Sequence, residues 1–211
     1  MPRDTTVQML IFLTLTCVGC GVPHNNRLSS EELDFLFPEL TVKNTTEARQ
    51  IPSVPIVVDG IKHPPEYIKT FEGRPLDFLV DRQALEEGFL HVFPNVEGLK
   101  AHIRALEANR SEDVTPLIET RSVFNEHAYH SGETLIFSPG TEVPSLAAYS
   151  LNWFYSWNDK ISSVNGATYS YTILYSDKWF VGERFVVAPG ADIVNLQWHA
   201  FDDKTSSLRV Y

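Results

Sequence analysis

An internal repeat in the C-terminal part of the chain constrains the fold more than any other feature of the sequence. Residues 129–140 match residues 179–190 without a gap. Each copy has an aromatic residue, a Gly-Glu pair, an apolar stretch and a closing Pro-Gly. Further along, residues 157–163 match residues 201–207, and both of these segments begin with an aromatic residue. We therefore expect two copies of one supersecondary unit, packed against each other.

Both of these aromatic residues are followed by a hexamer with the same order of residue types. The hexamer begins with two Asn or Asp residues, continues with two variable positions and ends in two serines. The copies are Asn158-Asp159-Lys160-Ile161-Ser162-Ser163 and Asp202-Asp203-Lys204-Thr205-Ser206-Ser207. Between its Pro-Gly and its hexamer the first repeat has 17 residues and the second has 11, so the first is six residues longer there.

Residues 121–211 are predicted to form an all-β region. The segment is rich in aromatic residues, punctuated by glycines and without a helical period. Gly132 and Gly182 occupy the same place in the two copies. Glycine there indicates a positive φ or a close backbone crossing, which a side chain would obstruct.

This pattern resembles the paired Greek-key motifs of βγ-crystallin domains, over about residues 121–211. The resemblance implies a two-motif β-sandwich in which each hexamer forms part of a calcium site. In the family's double clamp the motifs exchange ligands, so both motifs hold each of two Ca²⁺ ions. Calcium accepts six to eight oxygen ligands of the kinds that the hexamers carry. The six additional residues of the first repeat, around residues 142–154, depart from the family's pattern.

The resemblance also implies which atoms bind the ions. The second hexamer position supplies a carboxylate, the third a backbone carbonyl and the fifth a hydroxyl, and each folded hairpin adds one carbonyl. The residues are Asp159, Lys160 and Ser162, then Asp203, Lys204 and Ser206, with hairpin carbonyls near Ala128 and Lys178. Asn158 and Asp202 complete the predicted metal-site residues, and their side chains are expected to cap the local turn. Three carboxylates at most for two ions predict a dissociation constant of roughly 10⁻⁶ to 10⁻³ M.

The first 20 residues are predicted to be an export signal. Arg3 precedes a short apolar run over residues 9–15, and Cys17-Val18-Gly19-Cys20 follows. The end of this segment resembles the lipobox of bacterial lipoproteins, which implies lipidation of Cys20 and a membrane anchor. An ordinary signal peptide cleaved near Gly21 is the alternative. The expected location is the cell surface or periplasm, or the medium if the chain is secreted.

The rest of the chain is predicted to join this signal to the repeat region. Residues 21–53 are polar and irregular and are predicted to be a flexible tether with at most one helical turn. Residues 54–110 are predicted to be a small α+β module, so the overall class is α+β. The module contains His63, His91 and His102, which lie on different predicted elements without metal-ligand spacing and are interpreted as ordinary histidines.

The charge of the chain and the motifs that it lacks argue against nucleic-acid binding and against catalysis. The formal net charge of −10 and the lack of clustered Lys and Arg argue against a nucleic-acid partner. No Gly-x-Ser-x-Gly, His-Glu-x-x-His or P-loop motif is present, so an enzyme is not expected. We interpret the chain as a non-enzymatic calcium-binding protein. The alternative is an inhibitor of secreted proteases with a crystallin-like fold, and its protein partner is not indicated by the sequence.

Overall fold

The computed structural model of the chain describes residues 28–39, 49–109 and 121–211. The predicted signal peptide, with its lipobox and Cys20, lies outside the described residues. Within the described residues no helix combines the length and the apolar character needed to cross a membrane. Helices and sheets are both present, which agrees with the mixed class expected from the sequence.

The N-terminal part contains short helices and four short strands. The strands occur in short runs of mostly apolar and β-branched residues, and the longest helix occurs where apolar residues recur at three and four residues. The elements are α1 Ser30–Leu36, β1 Ile56–Val58, β2 Ile61–His63, a 3₁₀ helix Pro65–Phe71, β3 Asp77–Val80, α2 Arg82–Glu87, β4 Leu90–Phe93 and α3 Val96–Asn109.

The C-terminal part contains eight strands and only short 3₁₀ helices between them. The first repeat forms β5 Ser122–His127, β6 Ser131–Phe137, β7 Thr141–Val143 and β8 Ser163–Asn165. The second repeat forms β9 Thr172–Tyr175, β10 Arg184–Val187, β11 Asp192–Ile193 and β12 Ser207–Val210. Each hexamer leads into the fourth strand of its repeat, and its last serine is the first residue of that strand.

The two repeats exchange their third strands. One sheet has the order β11-β8-β5-β6, so β11 of the second repeat joins three strands of the first. In the other sheet β10, β9 and β12 of the second repeat are followed by β7 of the first. This exchange ties the repeats together, because neither sheet is complete without a strand from the other repeat.

The N-terminal strands continue the second of these sheets. β3 pairs with β10 in parallel, with Asp77 opposite Arg184 and Val80 opposite Val187, giving an eight-stranded sheet in the order β2-β1-β4-β3-β10-β9-β12-β7. One hydrophobic core extends across the junction, where Phe78 packs near Phe201 with ring centroids 6.2 Å apart. The region predicted as a small α+β module shares its sheet and its core with the repeat region.

A buried ion pair lies at this junction. The Arg184 guanidinium donates to both carboxylate oxygens of Asp77, at 2.7 and 3.0 Å, and also to the carbonyl of Pro38 at 2.9 Å. Both charged side chains are almost completely buried. A bidentate pair of this kind links the α1 region, the N-terminal strands and the second repeat at a single point.

The α1 region differs from the predicted tether. Ser29 and Glu32 form a capping box at the start of the helix. Leu33, Leu36 and Phe37 are buried in a cluster with Leu99 and with other apolar residues of α3 and the sheet. The sequence suggests one helical turn in this segment. It does not show that the apolar face of the turn packs against the rest of the molecule.

Candidate functional site

The tips of the two folded hairpins are built in the same way. Tyr129 and His130 in the first tip, and Trp179 and Phe180 in the second, all have positive φ angles. In each tip a serine, the last residue of the hexamer, accepts a hydrogen bond from a tip amide and donates to a tip carbonyl. Ser163 bonds His130 N at 3.2 Å and His127 O at 2.8 Å, and Ser207 bonds Phe180 N at 3.0 Å and Asp177 O at 2.6 Å.

Glycine is required at the base of each tip, as expected from the sequence. Gly182 has a φ of +85°, and a Cβ built there would lie 2.7 Å from Asp177 Oδ2. Gly132 has a φ of +79°, and its Cβ would lie 2.9 Å from the His127 ring. The side-chain-free backbone lets each hairpin fold over closely, which places the tip beside a hexamer loop.

The two hexamer loops bind each other through their backbones. Asp159 N donates to the carbonyl of Thr205 at 2.9 Å, and Asp203 N donates to the carbonyl of Ile161 at 3.2 Å. These are equivalent contacts, from the second position of one hexamer to the fourth position of the other. Asp159 and Asp203 are both left-handed, with φ of 55° and 51°, a conformation that Asp and Asn tolerate better than most residues.

The first candidate site is centred on Asp159, where residues of the two repeats meet. Ser206, from the second hexamer, donates to Asp159 Oδ1 at 3.0 Å, and Asn158 donates to Oδ2 at 2.5 Å. Burial raises the pKa of the Asp159 carboxyl, while the Ser206 hydrogen bond and the charges of Lys160 and Lys178 oppose the rise. Lys178 belongs to the opposite hairpin tip, so the Asp159 carboxyl interacts with predicted site residues of both repeats: Asn158 and Lys160 of the first, and Ser206 and Lys178 of the second.

The second candidate site is centred on Asp203. Burial raises the pKa of this carboxyl, and the neighbouring charges of Asp202 and Asp159 raise it further, while Lys160 and His127 lower it. His127 precedes Ala128 in the hairpin tip of the first repeat, so the charge of the opposite tip acts on Asp203. The Ala128 carbonyl accepts a hydrogen bond from Ser131 Oγ at 2.8 Å. Asp203 is more exposed than Asp159, so this site is the more open of the two.

The lysines at the third position have different surroundings. The Lys160 charge acts on both Asp159 and Asp203, so its ammonium lies within electrostatic range of the two central carboxylates. Lys204 Nζ instead lies 3.8 Å from Glu183 Oε2. The positive charge of Lys160 would therefore oppose the binding of a cation beside these two carboxylates.

Asn158 and Asp202 do not cap the turns as expected from the sequence. Among the described residues, their Oδ1 atoms are buried and have no hydrogen-bond partner, and the Asn158 amide donates to Asp159. Two equivalent buried oxygens without donors are costly unless a cation or water satisfies them. The oxygen-rich loops therefore fit a hard divalent cation such as Ca²⁺.

A different cluster lies in the N-terminal part, where the sequence indicated only ordinary histidines. His91 and His102 do lie on different elements, but the fold brings their ring centroids to 4.2 Å from each other beside Asp81. The residues are 11 positions apart, on β4 and α3, so only the packing of the helix on the sheet brings them together. The sequence offers one local signal for this cluster: Asp81 directly follows a buried strand, where it caps the next helix.

No protein-family model and no curated protein matches the chain. Solved structures that resemble it are βγ-crystallin domains. One is a βγ-crystallin from Ciona intestinalis, 21% identical, covering 43% of this chain and 99% of that chain with a TM-score of 0.34. The N-terminal domain of Protein S is 25% identical, and the match covers 44% of this chain and 96% of that domain with a TM-score of 0.37. A βγ-crystallin domain from Clostridium beijerinckii is 18% identical, and the match covers 44% of this chain and 98% of that domain with a TM-score of 0.35.

Proposed function

We propose that residues 121–211 bind two calcium ions in a double clamp of the βγ-crystallin type, and that the ions stabilise this non-enzymatic protein. The observation that carries the proposal is the reciprocal pairing of the two hexamer loops. It places the Asp159 carboxylate of one repeat 3.0 Å from the Ser206 hydroxyl of the other. Each ion would be held by Asp159 or Asp203, by hexamer oxygens and by a carbonyl of a hairpin tip.

The electrostatics of the loops support a cation. Burial raises the pKa of both central carboxyls, so without a counter-ion their ionised forms are disfavoured. A bound divalent ion would reverse this effect and would also satisfy the unpaired oxygens of Asn158 and Asp202. Because calcium needs the ionised carboxylates, its affinity is expected to fall on acidification, beginning at a pH above the usual range for Asp.

Mass action sets the size of the stabilisation. At a concentration 100 times its dissociation constant, each ion adds about 2.7 kcal/mol to the free energy of unfolding. Two independent ions would then raise the melting temperature by roughly 10–20 °C for a chain of this length. No disulfide is available to the described residues, since both cysteines lie in the first 20 positions. Bound ions would supply stability that disulfides provide in many exported proteins.

The test compares melting temperatures with calcium and with a chelator. The chain from residue 21 onward, which lacks only the predicted export signal, is compared with Asp159→Asn and Asp203→Asn. Asparagine keeps the size and tolerates the left-handed backbone while removing the charge. Asp59→Asn is the matched control, because Asp59 is also left-handed, with φ of 49°, and lies in the β1–β2 turn. Loss of the calcium shift in the two hexamer variants alone supports the proposal, and an equal shift in all variants contradicts it.

We also propose that the chain is exported and anchored through a lipid on Cys20. The support is the sequence pattern of the first 20 residues. Expression in a bacterium with labelled palmitate tests this proposal. The label is expected in the wild-type chain and in Cys17→Ser, and not in Cys20→Ser. Label in all three chains, or in none, contradicts the anchor, and secretion of an unlabelled chain would indicate an ordinary signal peptide.

Inhibition of a secreted protease is the second candidate function. The observation that favours it is the loop of the longer first repeat, where Trp153 is 98% and Phe154 is 89% exposed. Protruding side chains of this kind suit the cleft of a partner. Inhibition that is lost in Trp153→Ala and is indifferent to calcium would favour this candidate over the first.

A further inference from the structure

Three metal-binding side chains from three different elements meet in the N-terminal part of the molecule. Asp81 follows β3, His91 lies in β4 opposite Leu79, and His102 lies on α3. His91 Nε2 is 3.3 Å and His102 Nε2 is 3.1 Å from the same oxygen, Asp81 Oδ2. One potential ligand atom from each residue lies within 4.8 Å of the others.

The carboxylate of Asp81 is held in place by the start of α2. Its Oδ1 atom accepts a hydrogen bond from Ala84 N at 2.8 Å, which caps the helix. This bond fixes the orientation of the carboxylate and leaves Oδ2 directed at the two histidines. Support of this kind for a ligand is typical of metal sites, where neighbouring hydrogen bonds orient the binding groups.

His91 carries an unused binding atom. The residue is 7% exposed, and its Nε2 has no hydrogen-bond partner among the described residues, although Asp81 is near. Its nearest acceptor, Asp81 Oδ2 at 3.3 Å, is shared with His102 Nε2 at 3.1 Å, so the contact compensates the buried nitrogen only weakly for the loss of water. A metal ion between the two histidines and Asp81 would satisfy this nitrogen.

We propose that Asp81, His91 and His102 bind one divalent transition-metal ion, with Zn²⁺ as the best fit. Zinc binds His nitrogen at about 2.0–2.1 Å and carboxylate oxygen at about 2.0–2.2 Å in a tetrahedral arrangement. In a tetrahedron with those bond lengths the ligand atoms are about 3.3–3.4 Å apart. The observed separations of 3.1 and 3.3 Å from Asp81 Oδ2 are close to this value. Two imidazoles favour zinc over calcium, which prefers oxygen ligands.

Three protein ligands leave the fourth position of the ion open. The two histidines line a pocket of about 520 Å³ together with Asp59, Lys62 and Glu87. Zinc sites with three protein ligands commonly hold water or a small ligand in the fourth position. The pocket reaches both histidines and would be the route by which water approaches a bound ion. This site is chemically distinct from the oxygen-rich hexamer loops.

The experiment measures zinc in the chain from residue 21 onward. The protein is freed of metal with a chelator, incubated with Zn²⁺, exchanged into metal-free buffer and analysed for bound metal and melting temperature. We expect one zinc ion per chain and a higher melting temperature. With Co²⁺ in place of Zn²⁺, we expect the visible absorption bands of a tetrahedral site. No retained zinc, or a Co²⁺ spectrum of an octahedral aquo-ion, overturns the proposal.

Variants locate the ion. Asp81→Asn keeps an acceptor for the α2 cap while removing the anionic ligand, since Asn and Asp are equally good at this position. His102→Gln changes the more exposed histidine, so its folded state is expected to persist. Both variants should lose the zinc, and His63→Gln, which removes a histidine stacked on Tyr67 outside the cluster, should keep it. Zinc retained in folded Asp81→Asn and His102→Gln would place the ion elsewhere and refute the assignment.

The zinc measurement is independent of the proposed calcium sites. A chain with both Asp159→Asn and Asp203→Asn is expected to bind zinc as the wild type does, and excess calcium is expected not to displace it. Displacement by calcium would contradict a site built on two imidazoles.

Discussion

Removing the carboxylate of Asp77 should destabilise the whole molecule strongly. The guanidinium of Arg184 is completely buried and bonds both oxygens of Asp77. In Asp77→Asn this charge stays buried without an anion, and breaking such a pair costs about 3–5 kcal/mol. For a chain of this length that loss corresponds to a fall of roughly 6–20 °C in melting temperature. Urea unfolding at neutral pH measures the free energy directly.

An exposed pair gives the matched control for this prediction. Arg82 and Glu86 are 2.8 Å apart, almost the same separation as Arg184 and Asp77, but their side chains are 93% and 63% exposed. Glu86→Gln is expected to leave the free energy of unfolding almost unchanged, because solvent screens an exposed pair. Because the buried pair joins β3 to β10 within one core, Asp77→Asn should unfold in a single transition. Equal costs for the two variants, or separate transitions for the N- and C-terminal parts, would refute the reasoning.

Three further predictions concern buried or strained groups of the repeat region. Burial lowers the pKa of His199 from 6.5 to about 4. The free energy of unfolding should therefore fall by about 3 kcal/mol as the pH drops from 6.5 to 4, because only the unfolded chain takes up the proton there. His199→Leu should flatten this pH dependence in urea unfolding. Lys160→Met should tighten calcium binding about 5-fold in calorimetry, about 1 kcal/mol, and Lys204→Met should change it less. Gly140→Ala should lower the free energy of unfolding by about 1–2 kcal/mol, because φ there is +81° but an added Cβ meets no other atom. Gly182→Ala should lower it by more, because an added Cβ also collides with Asp177. Equal losses in urea unfolding would argue against the close backbone crossing at Gly182.

Local patterns in the sequence were sufficient for the strand-rich character of residues 121–211 and for the turn residues of the repeat. Gly132 and Gly182 mark the positions where the hairpins fold over, and the hexamers lie where the loops of the two repeats meet. Such features are local, because turn conformation depends on a few neighbouring residues. The mutual pairing of the loops was expected only from the resemblance to βγ-crystallin domains, since the repeat by itself does not show which loops meet.

Contacts between distant segments could not be read in the same way. The pairing of β3 with β10 joins Asp77 to Arg184 across 107 residues, and a parallel edge contact leaves no local pattern in either strand. The cluster of Asp81, His91 and His102 has the same origin, since it forms only when α3 packs on the sheet. The unpaired oxygens of Asn158 and Asp202 likewise depend on burial, which their residue types alone do not reveal.

The most direct test of the central claim is the calcium content of the chain at equilibrium. Dialysis of the chain from residue 21 onward against graded calcium, followed by elemental analysis, counts the bound ions. The paired hexamer loops predict two ions per chain, with half-saturation at roughly 10⁻⁶ to 10⁻³ M. No bound calcium at millimolar free ion, or the same two ions in a chain carrying both Asp159→Asn and Asp203→Asn, would contradict the double clamp.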